Sequence, residues 1–314
     1  MNPRLRLIAD RQGGIFSRRQ ALDSGYTPRQ VADRLADRRW ERIRHGQYAE
    51  SLDLDGLPAW DRDRIRHVRA IHAVINSLRV GKVAVSHQSA IAVHGLPLWG
   101  LDLDLVHVTR LDDAPGGVVA GVQHHLGVVA PADLAVVGDL ALTTVARAVV
   151  ETACTTSFEA AVVLADAALR GVVTTEELER VLAMIEFWPG GPMARAAVRF
   201  ASPLSESVGE SRLRVLMHQH GLPTPMLQSE FYDAEGFVAR VDFHFPTEGT
   251  VVEFDGLLKY AGGSPTVLVR EKRREDRLRA LGLQVVRAEW ADFNRPAHLV
   301  SAIRQAFTRA NPAA

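Results

Sequence analysis

FVARVDFHFP at residues 237–246, then TEG at 247–249 and TVVEFDG at 250–256, decides how the C-terminal third of this 314-residue chain is read. Val241, Phe243 and Phe245 alternate with Arg240, Asp242 and His244, the period-2 pattern of a strand with one buried face. TVVEF repeats the alternation after a short turn containing Gly249, so the two runs predict a β-hairpin. Side chains two apart on a strand share a face, which projects Glu253 and Asp255 together, and hairpin pairing brings Asp242 beside them. Like charges about 4 Å apart repel by roughly 4 kcal/mol at an effective dielectric of about 20, so such a cluster demands a proton or a cation. Hard oxygen ligands favour Mg²⁺ or Mn²⁺. Val251, Val252 and Phe254 are apolar, which sets the acids on an otherwise buried strand where an unpartnered ion is costly.

Outward from the hairpin, FWPGGPM (187–193) is a Gly/Pro-rich break, and a domain is expected to begin near Ala201. Ser202 and Pro203 are expected to open a helix running to His220, with Glu206 and Glu210 on one face and Leu213, Leu216 and Met217 on the buried one. After the hairpin come a loop, GLLKYAGGSP (256–265), a helix, TVLVREKRREDRLRALG (266–282), a strand, LQVVRAEW (283–290), and a helix from about His298 to Phe307. The predicted order is αββαβα. That order, with an acid on the first helix, Asp242-x10-Glu253-x-Asp255 on the hairpin and a basic helix before the last strand, resembles the PD-(D/E)XK superfamily over residues 202–293. The closest branch looks like the very-short-patch-repair endonucleases and their restriction-endonuclease-like relatives. The resemblance implies that Asp242 and Glu253 hold a divalent metal, that Glu210, or less well Glu206, completes its shell, and that a metal-activated water hydrolyses a DNA phosphodiester. The superfamily carries Lys two residues after the Glu, where this chain has Asp255. Lys259 or Lys272 could fill the gap, or Asp255 could itself position the water. In REKRRED (270–276), Lys272, Arg273 and Arg274 are expected to grip DNA phosphate.

The formal net charge of zero is unevenly spread: residues 1–50 hold eleven Arg against six acids, whereas residues 101–200 hold six Arg against thirteen acids. A basic end beside an acidic middle points to a polyanion at the end. In the first fifty residues, Leu5, Ile8 and Ala9 have helical spacing and Gly13-Gly14 end the run. Ser17 with Gln20, and Thr27 with Gln30, each fit a capping box, and Pro28 suits a first helical position. WERIRHGQYAE (40–50) reads as a small hairpin turning at His45-Gly46. Three short helices and a hairpin predict a winged helix-turn-helix, with Arg29, Gln30, Arg34 and Arg38 of the third helix reading base edges and Arg42 and Arg44 of the wing meeting phosphate. GGIFSRRQAL (13–22) and RQVADRLADRRWERIRHGQYA (29–49) resemble the N-terminal domain of AbiEi-type antitoxins, which implies sequence-specific binding of double-stranded DNA.

Between these ends, residues 51–57 read as a linker, and helices alternate with short strands such as LDLVHVTR (103–110) and VQHHLGVV (122–129). SHQSAIAVHGLPL (86–98) and LALTTVARAVVETA (140–153) resemble the body of AbiEi-family antitoxins, a part associated with neutralising a toxin, so a cognate toxin is a possible partner. His87 and His94, seven apart, could share a helix face, which suggests a ligand pair only weakly and favours a structural role. His124 and His125 point to opposite faces of a strand, which disfavours a joint metal role. Asp166 is spaced to pair with Arg170. Cys154 is the sole cysteine and excludes an intramolecular disulfide. The start lacks a secretory signal and no run reaches eighteen apolar residues, so no membrane is expected and the cytoplasm is the expected compartment.

The sequence thus predicts a multidomain α/β protein: a winged helix-turn-helix over 1–55, a mixed α/β domain over 56–200, and a restriction-endonuclease-like domain over 201–314. Its expected function is Mg²⁺- or Mn²⁺-dependent DNA hydrolysis guided by the N-terminal domain. The rival readings are an antitoxin-like regulator with an inactive nuclease fold, and a partner-binding protein whose acidic middle captures a toxin.

Overall fold

Both capping boxes of the first fifty residues form. In the computed structural model, Ser17 Oγ accepts the Gln20 N–H at 3.1 Å while Gln20 Oε1 accepts the Ser17 N–H at 2.7 Å. Thr27 and Gln30 repeat the exchange at 3.2 and 2.9 Å. Two orphan donors are satisfied at each start, which fixes α2 (Arg18–Asp23) and α3 (Pro28–Ala36) behind α1 (Pro3–Asp10). The structure describes residues 1–78, 82–112, 114–185, 187–256 and 265–310, and for 265–268 the backbone only. The apolar entry at Ile15-Phe16 is a strand, β1 (Ile15–Ser17). It pairs antiparallel with β3 (Gln47–Glu50), which also pairs with β2 (Trp40–Arg44). Leu5, Phe16, Val31, Trp40 and Tyr48 close the core between helices and sheet. The Trp40 ring packs edge-on against Phe16 at 4.7 Å and Tyr26 at 5.0 Å.

Helix α4 (Ala59–Ile75) is followed by a six-stranded sheet. Its strands are β4 (Val83–Val85), β5 (Val106–Arg110), β6 (Gly117–Val119), β7 (Val122–His125), β8 (Leu134–Val137) and β9 (Leu140–Thr143), in the order β6-β7-β5-β4-β9-β8. The pairs β5·β7 and β4·β9 are parallel and the other three are antiparallel. Helices α5 (His87–Val93), α6 (Val145–Ala153), α7 (Phe158–Leu169), α8 (Thr175–Met184) and α9 (Gly191–Phe200) complete this part. Helix α6 is buried over nearly its whole length, including two charges. Arg147 donates through Nε to Glu151 at 2.7 Å and through Nη1 to Asp133 at 3.3 Å, and all three side chains are 1% exposed or less. Arg180 gives Asp133 a second partner at 2.6 Å, so two cations balance two carboxylates. The Arg147 guanidinium also lies 5.3 Å from the Trp188 ring centroid, in the turn that ends at Gly190. Burial pushes the neighbouring Cys154 thiol up to about 11, which keeps it protonated and unreactive at neutral pH.

The C-terminal part is α10 (Val208–Gln219), β10 (Met226–Asp233), β11 (Gly236–Phe245), β12 (Thr250–Asp255), α11 (Pro265–Ala280), β13 (Gln284–Glu289) and α12 (Pro296–Ala310). The expected hairpin is β11·β12, with Phe243 opposite Val252 and Phe245 opposite Thr250. The observed order is αβββαβα, one strand more than the sequence reading, because β10 pairs along the whole outer edge of β11. Strand β13 adds parallel to β12, giving the order β10-β11-β12-β13. One face packs Phe243, Phe245, Val252 and Ala288 on Leu213 of α10 and on Leu299 and Ile303 of α12. The other packs Val241 and Val251 on Leu278 of α11.

The first helix of this part begins later than expected. Ser207, not Ser202, is the N-cap: its side chain accepts the Glu210 N–H at 3.1 Å. Asp166 does not take Arg170 at i,i+4 either. It holds the Arg214 guanidinium through both carboxylate oxygens, at 2.7 and 2.8 Å, and accepts the Ser202 N–H, while Arg170 donates to the Ser205 carbonyl. A single nitrogen, Arg214 Nη2, serves both carboxylate oxygens, while Nη1 donates to the Phe200 carbonyl.

By its internal contacts the chain divides into two compact units, Met1–Leu164 with Val172–Arg199, and Ala165–Gly171 with Phe200–Ala314. Among the described residues, no helix is long and apolar enough to cross a membrane.

Candidate functional site

Of the six residues assigned to the N-terminal DNA-reading surface, four are exposed, one of them past the end of the third helix rather than on it, and two turn back onto the protein. Arg29, Arg38 and Arg42 are exposed, as is Gln30, although the Gln30 carbonyl oxygen is committed to its capping box. Arg38 adopts a left-handed backbone at φ +54° just past the end of α3. Arg34 is half-buried, its guanidinium 5.0 Å from the Tyr26 ring and 5.3 Å from the Trp40 ring, so aromatic faces hold its charge against the domain core. Arg44 turns back from the β2–β3 hairpin and donates to the Ala120 carbonyl at 3.4 Å; burial lowers its pKa. Of the two arginines assigned to that hairpin, Arg42 is therefore the exposed one.

The acidic constellation of the C-terminal unit is arranged differently from the expectation. Sheet alternation sends Val252 and Phe254 toward α10 and α12, so Glu253 and Asp255 face α11. There Arg274 grips both oxygens of Glu253, at 2.6 and 2.9 Å, and Arg287 reaches Asp255 at 3.3 Å. Arg274, expected to hold DNA phosphate, and Glu253, expected to hold metal, are partners of one another. The Arg274 guanidinium loses solvation there, but the Glu253 and Glu271 carboxylates more than offset that loss and raise its pKa. Lys272 and Arg273, just before it on α11, are exposed. Lys259 lies outside the described residues.

Asp242 sits where the hairpin opens. The ladder between β11 and β12 ends at Phe243 and Val252, and the next amide of β12 on that side, Phe254 N–H, donates instead to Asp242 Oδ2 at 2.8 Å. On the opposite flank Gln228 interrupts β10 with a left-handed backbone, φ +52°. Its side-chain amide donates to Glu210 Oε2 at 3.1 Å and lies 3.5 Å from Asp242 Oδ1, which links the two carboxylates. Glu210 is 8% exposed. Burial first, and then the nearby Asp242 charge, raise the Glu210 pKa against the opposing Glu206 N–H bond. Glu206, the weaker candidate, precedes the helix and pairs with Arg240 at 2.8 Å. Gly209 is obligatory beside this site, because a Cβ there would overlap the Phe254 ring.

A divalent metal needs its donors to converge, and these carboxylates do not. Among the described residues, the one group of three or more His, Cys, Asp or Glu whose ligand atoms lie within 4.8 Å of one another is His87, His107 and His125. Glu210, Asp242 and Glu253 do not form such a group, and a guanidinium already neutralises Glu253. As arranged, the carboxylates do not fit a Mg²⁺ or Mn²⁺ centre. The histidine group was not legible in the sequence. His94, paired there with His87, bonds through Nε2 to the Thr143 carbonyl at 2.8 Å and stands apart.

Residues 3–51 match the family described as transcriptional regulator, AbiEi antitoxin. Over that stretch the chain is similar to an AbiEi-type regulator domain. The match ends at the last strand of the three-stranded sheet, so it spans α1 to α3, both capping boxes and the β2–β3 hairpin. Two curated relatives, both from Mycobacterium tuberculosis, align over 150 residues at 34% identity: the uncharacterized proteins Rv2248 of strain H37Rv and MT2308 of strain CDC 1551. The aligned stretch is 47% of this chain and 55% of each relative, so the chain spans about half the length of the curated relatives it matches.

Proposed function

We propose that the protein is a DNA-binding transcriptional regulator of the antitoxin type, contacting double-stranded DNA through a winged helix-turn-helix in its N-terminal domain. The observation that carries this reading is the AbiEi match over residues 3–51, on a domain that keeps Arg29, Arg38 and Arg42 exposed. Helix α3 would supply base-edge contacts, and Arg42, from the hairpin, a phosphate contact. A cognate toxin protein would be the second partner of such a regulator, met by the middle segment, whose residues 101–200 hold thirteen acids against six Arg.

The test is binding of the full-length protein to a labelled duplex carrying its own upstream region, followed across salt. Removing one phosphate-binding cation should lower the slope of log affinity against log salt by about 0.9. Arg29→Ala/Arg42→Ala is expected to weaken binding by about tenfold or more and to flatten the slope by the equivalent of one to two such cations. Arg34→Ala is a poorer probe, because it would also strip the Tyr26 and Trp40 rings of their cation. Binding that ignores salt, or an unchanged double variant, would count against the assigned surface.

A second reading, metal-dependent DNA endonuclease, draws on Asp242 and Glu210 sharing Gln228 where the β11·β12 ladder opens. In this reading Asp255, Lys259 and Lys272 remain candidates for the hydrolytic role, but Arg274 must first leave Glu253. Incubation with supercoiled plasmid and Mg²⁺ or Mn²⁺ is expected to leave the plasmid intact. Nicking that Asp242→Ala abolishes would reverse the order of the two readings.

A further inference from the structure

Three histidines from separate elements of the first unit meet at a place the regulator reading does not use. His107 and His125 lie on the parallel strands β5 and β7, where His107 is opposite Gln123 and Thr109 is opposite His125. The two histidines are thus offset by two residues and share one sheet face. Helix α5 starts directly after β4, the strand next to β5, and its first residue is His87. His107 Nδ1 lies 2.8 Å from His125 Nε2. The His87 ring stacks on His125 with centroids 3.6 Å apart and lies 5.7 Å from His107.

We infer that His87, His107 and His125 form a binding site for a divalent first-row transition ion, with zinc the best chemical match and a fourth position open to water. Three imidazoles with an open position are a recurring zinc donor set, and imidazole nitrogen suits zinc, copper and nickel far better than magnesium.

The surroundings supply the outer partners such a site needs. His87 Nδ1 is 3.0 Å from Ser86 Oγ and 3.7 Å from Glu151 Oε2, so Nε2 is the nitrogen left for an ion. Glu151 is anchored in turn by Arg147. A carboxylate behind a ligating histidine fixes its tautomer and ring orientation. Behind His107, the Gln88 amide nitrogen lies 2.8 Å from Nε2, while the Gln88 carbonyl oxygen is buried with no hydrogen-bond partner. Turning that amide end for end exchanges its bond to the Asp102 carbonyl for an acceptor facing His107 Nε2–H, and leaves Nδ1 with a lone pair for the ion. Zinc bound tetrahedrally by nitrogen at about 2.0–2.1 Å holds its ligands roughly 3.3 Å apart, so on ligation the 2.8 Å contact widens and the stacked His87 and His125 rings turn out of face-to-face contact to aim their lone pairs at one point. His87 also holds a left-handed backbone, φ +50°, a conformation that residues with a Cβ keep mainly where the surroundings impose it. Burial, with the neighbouring histidines adding to it, lowers His107 to about 4; burial and His124 lower His125 to about 4.

The experiment uses untagged full-length protein, stripped with EDTA and dialysed at pH 7.5, titrated with Zn²⁺ by calorimetry and with Co²⁺ by visible absorption. The expected result is one saturable equivalent per chain, a rise in melting temperature with Zn²⁺, and visible bands with Co²⁺. His125→Ala is expected to abolish binding. Gln88→Ala, which keeps all three ligands, is expected to weaken it by about 10–100-fold, the usual loss of an outer partner. Circular dichroism confirms that each variant is folded. Absence of a saturable site for either ion in the unmodified protein would overturn the assignment whatever the variants do. Unchanged stoichiometry and affinity in a folded His125→Ala would overturn it equally.

Discussion

Arg147→Ala is expected to cost about 3–5 kcal/mol and to lower the melting transition of the first unit by roughly 6–20 °C. The loss comes from what stays behind more than from the bond removed. Glu151 would keep only the Thr143 hydroxyl and the His87 N–H, at 3.4 and 3.5 Å, while buried at 1% exposure. Burial already raises the Glu151 pKa against the pull of Arg147, so without the cation the carboxyl takes up a proton more readily still. Asp133 is better protected, because Arg180 remains at 2.6 Å. Replacing Arg147 and Glu151 together with methionine and leucine should restore most of the stability, since an apolar pair of similar volume often equals a buried ion pair. Thermal unfolding of the single and double variants checks both statements. A single variant whose melting temperature matches the parent's would mean that water reaches Glu151.

Gly190→Ala is expected to cost about 2–5 kcal/mol, from roughly 1–2 kcal/mol for a left-handed residue with a Cβ and about 1–3 kcal/mol for forced overlap. Gly190 has φ +79°, and a Cβ on it would overlap the carbonyl of Cys154, a backbone group at the end of α6 that cannot rotate away. Either the turn moves, taking Trp188 from Arg147, or α6 does. Gly14, at φ +83° with nothing within 4 Å of an added Cβ, is the control: alanine there should cost only the conformational part. Denaturant unfolding of the two variants separates clash from backbone strain, and equal losses would remove the Cys154 overlap as a cause.

What could be read from the sequence was whatever neighbours along the chain decide. Both capping boxes are three-residue patterns, and the hairpin rests on strict alternation through Val241, Phe243 and Phe245, so each was legible. Strand β10 was not: Met226, Leu227, Phe231 and Tyr232 break the alternation around Gln228, and Met226 and Tyr232 remain 57% and 60% exposed on an edge. The site residues show the same division. Alternation correctly places Glu253 and Asp255 on one face, yet nothing local says that α11 covers that face with Arg274. The run REKRRED reads as a solvated or phosphate-binding stripe, and only packing shows that Arg273 and Arg274 point in different directions. His107 is a single residue in an ordinary β-run and His125 half of a pair with opposed orientations, so their meeting with His87 depends on strand order. The signal that was available is weaker: a histidine at the first position of a helix, directly after a buried strand, and two more on later strands of the same segment.

The route of the chain through Asp166 bears on how the protein can be cut. A fragment beginning at Ala201 would carry Arg214 but leave behind its carboxylate, because Asp166 lies far upstream on α7. That guanidinium, 9% exposed, would lose the carboxylate that balances its charge. Expression of the C-terminal third alone should therefore yield a less soluble, protease-sensitive product unless position 214 is neutralised.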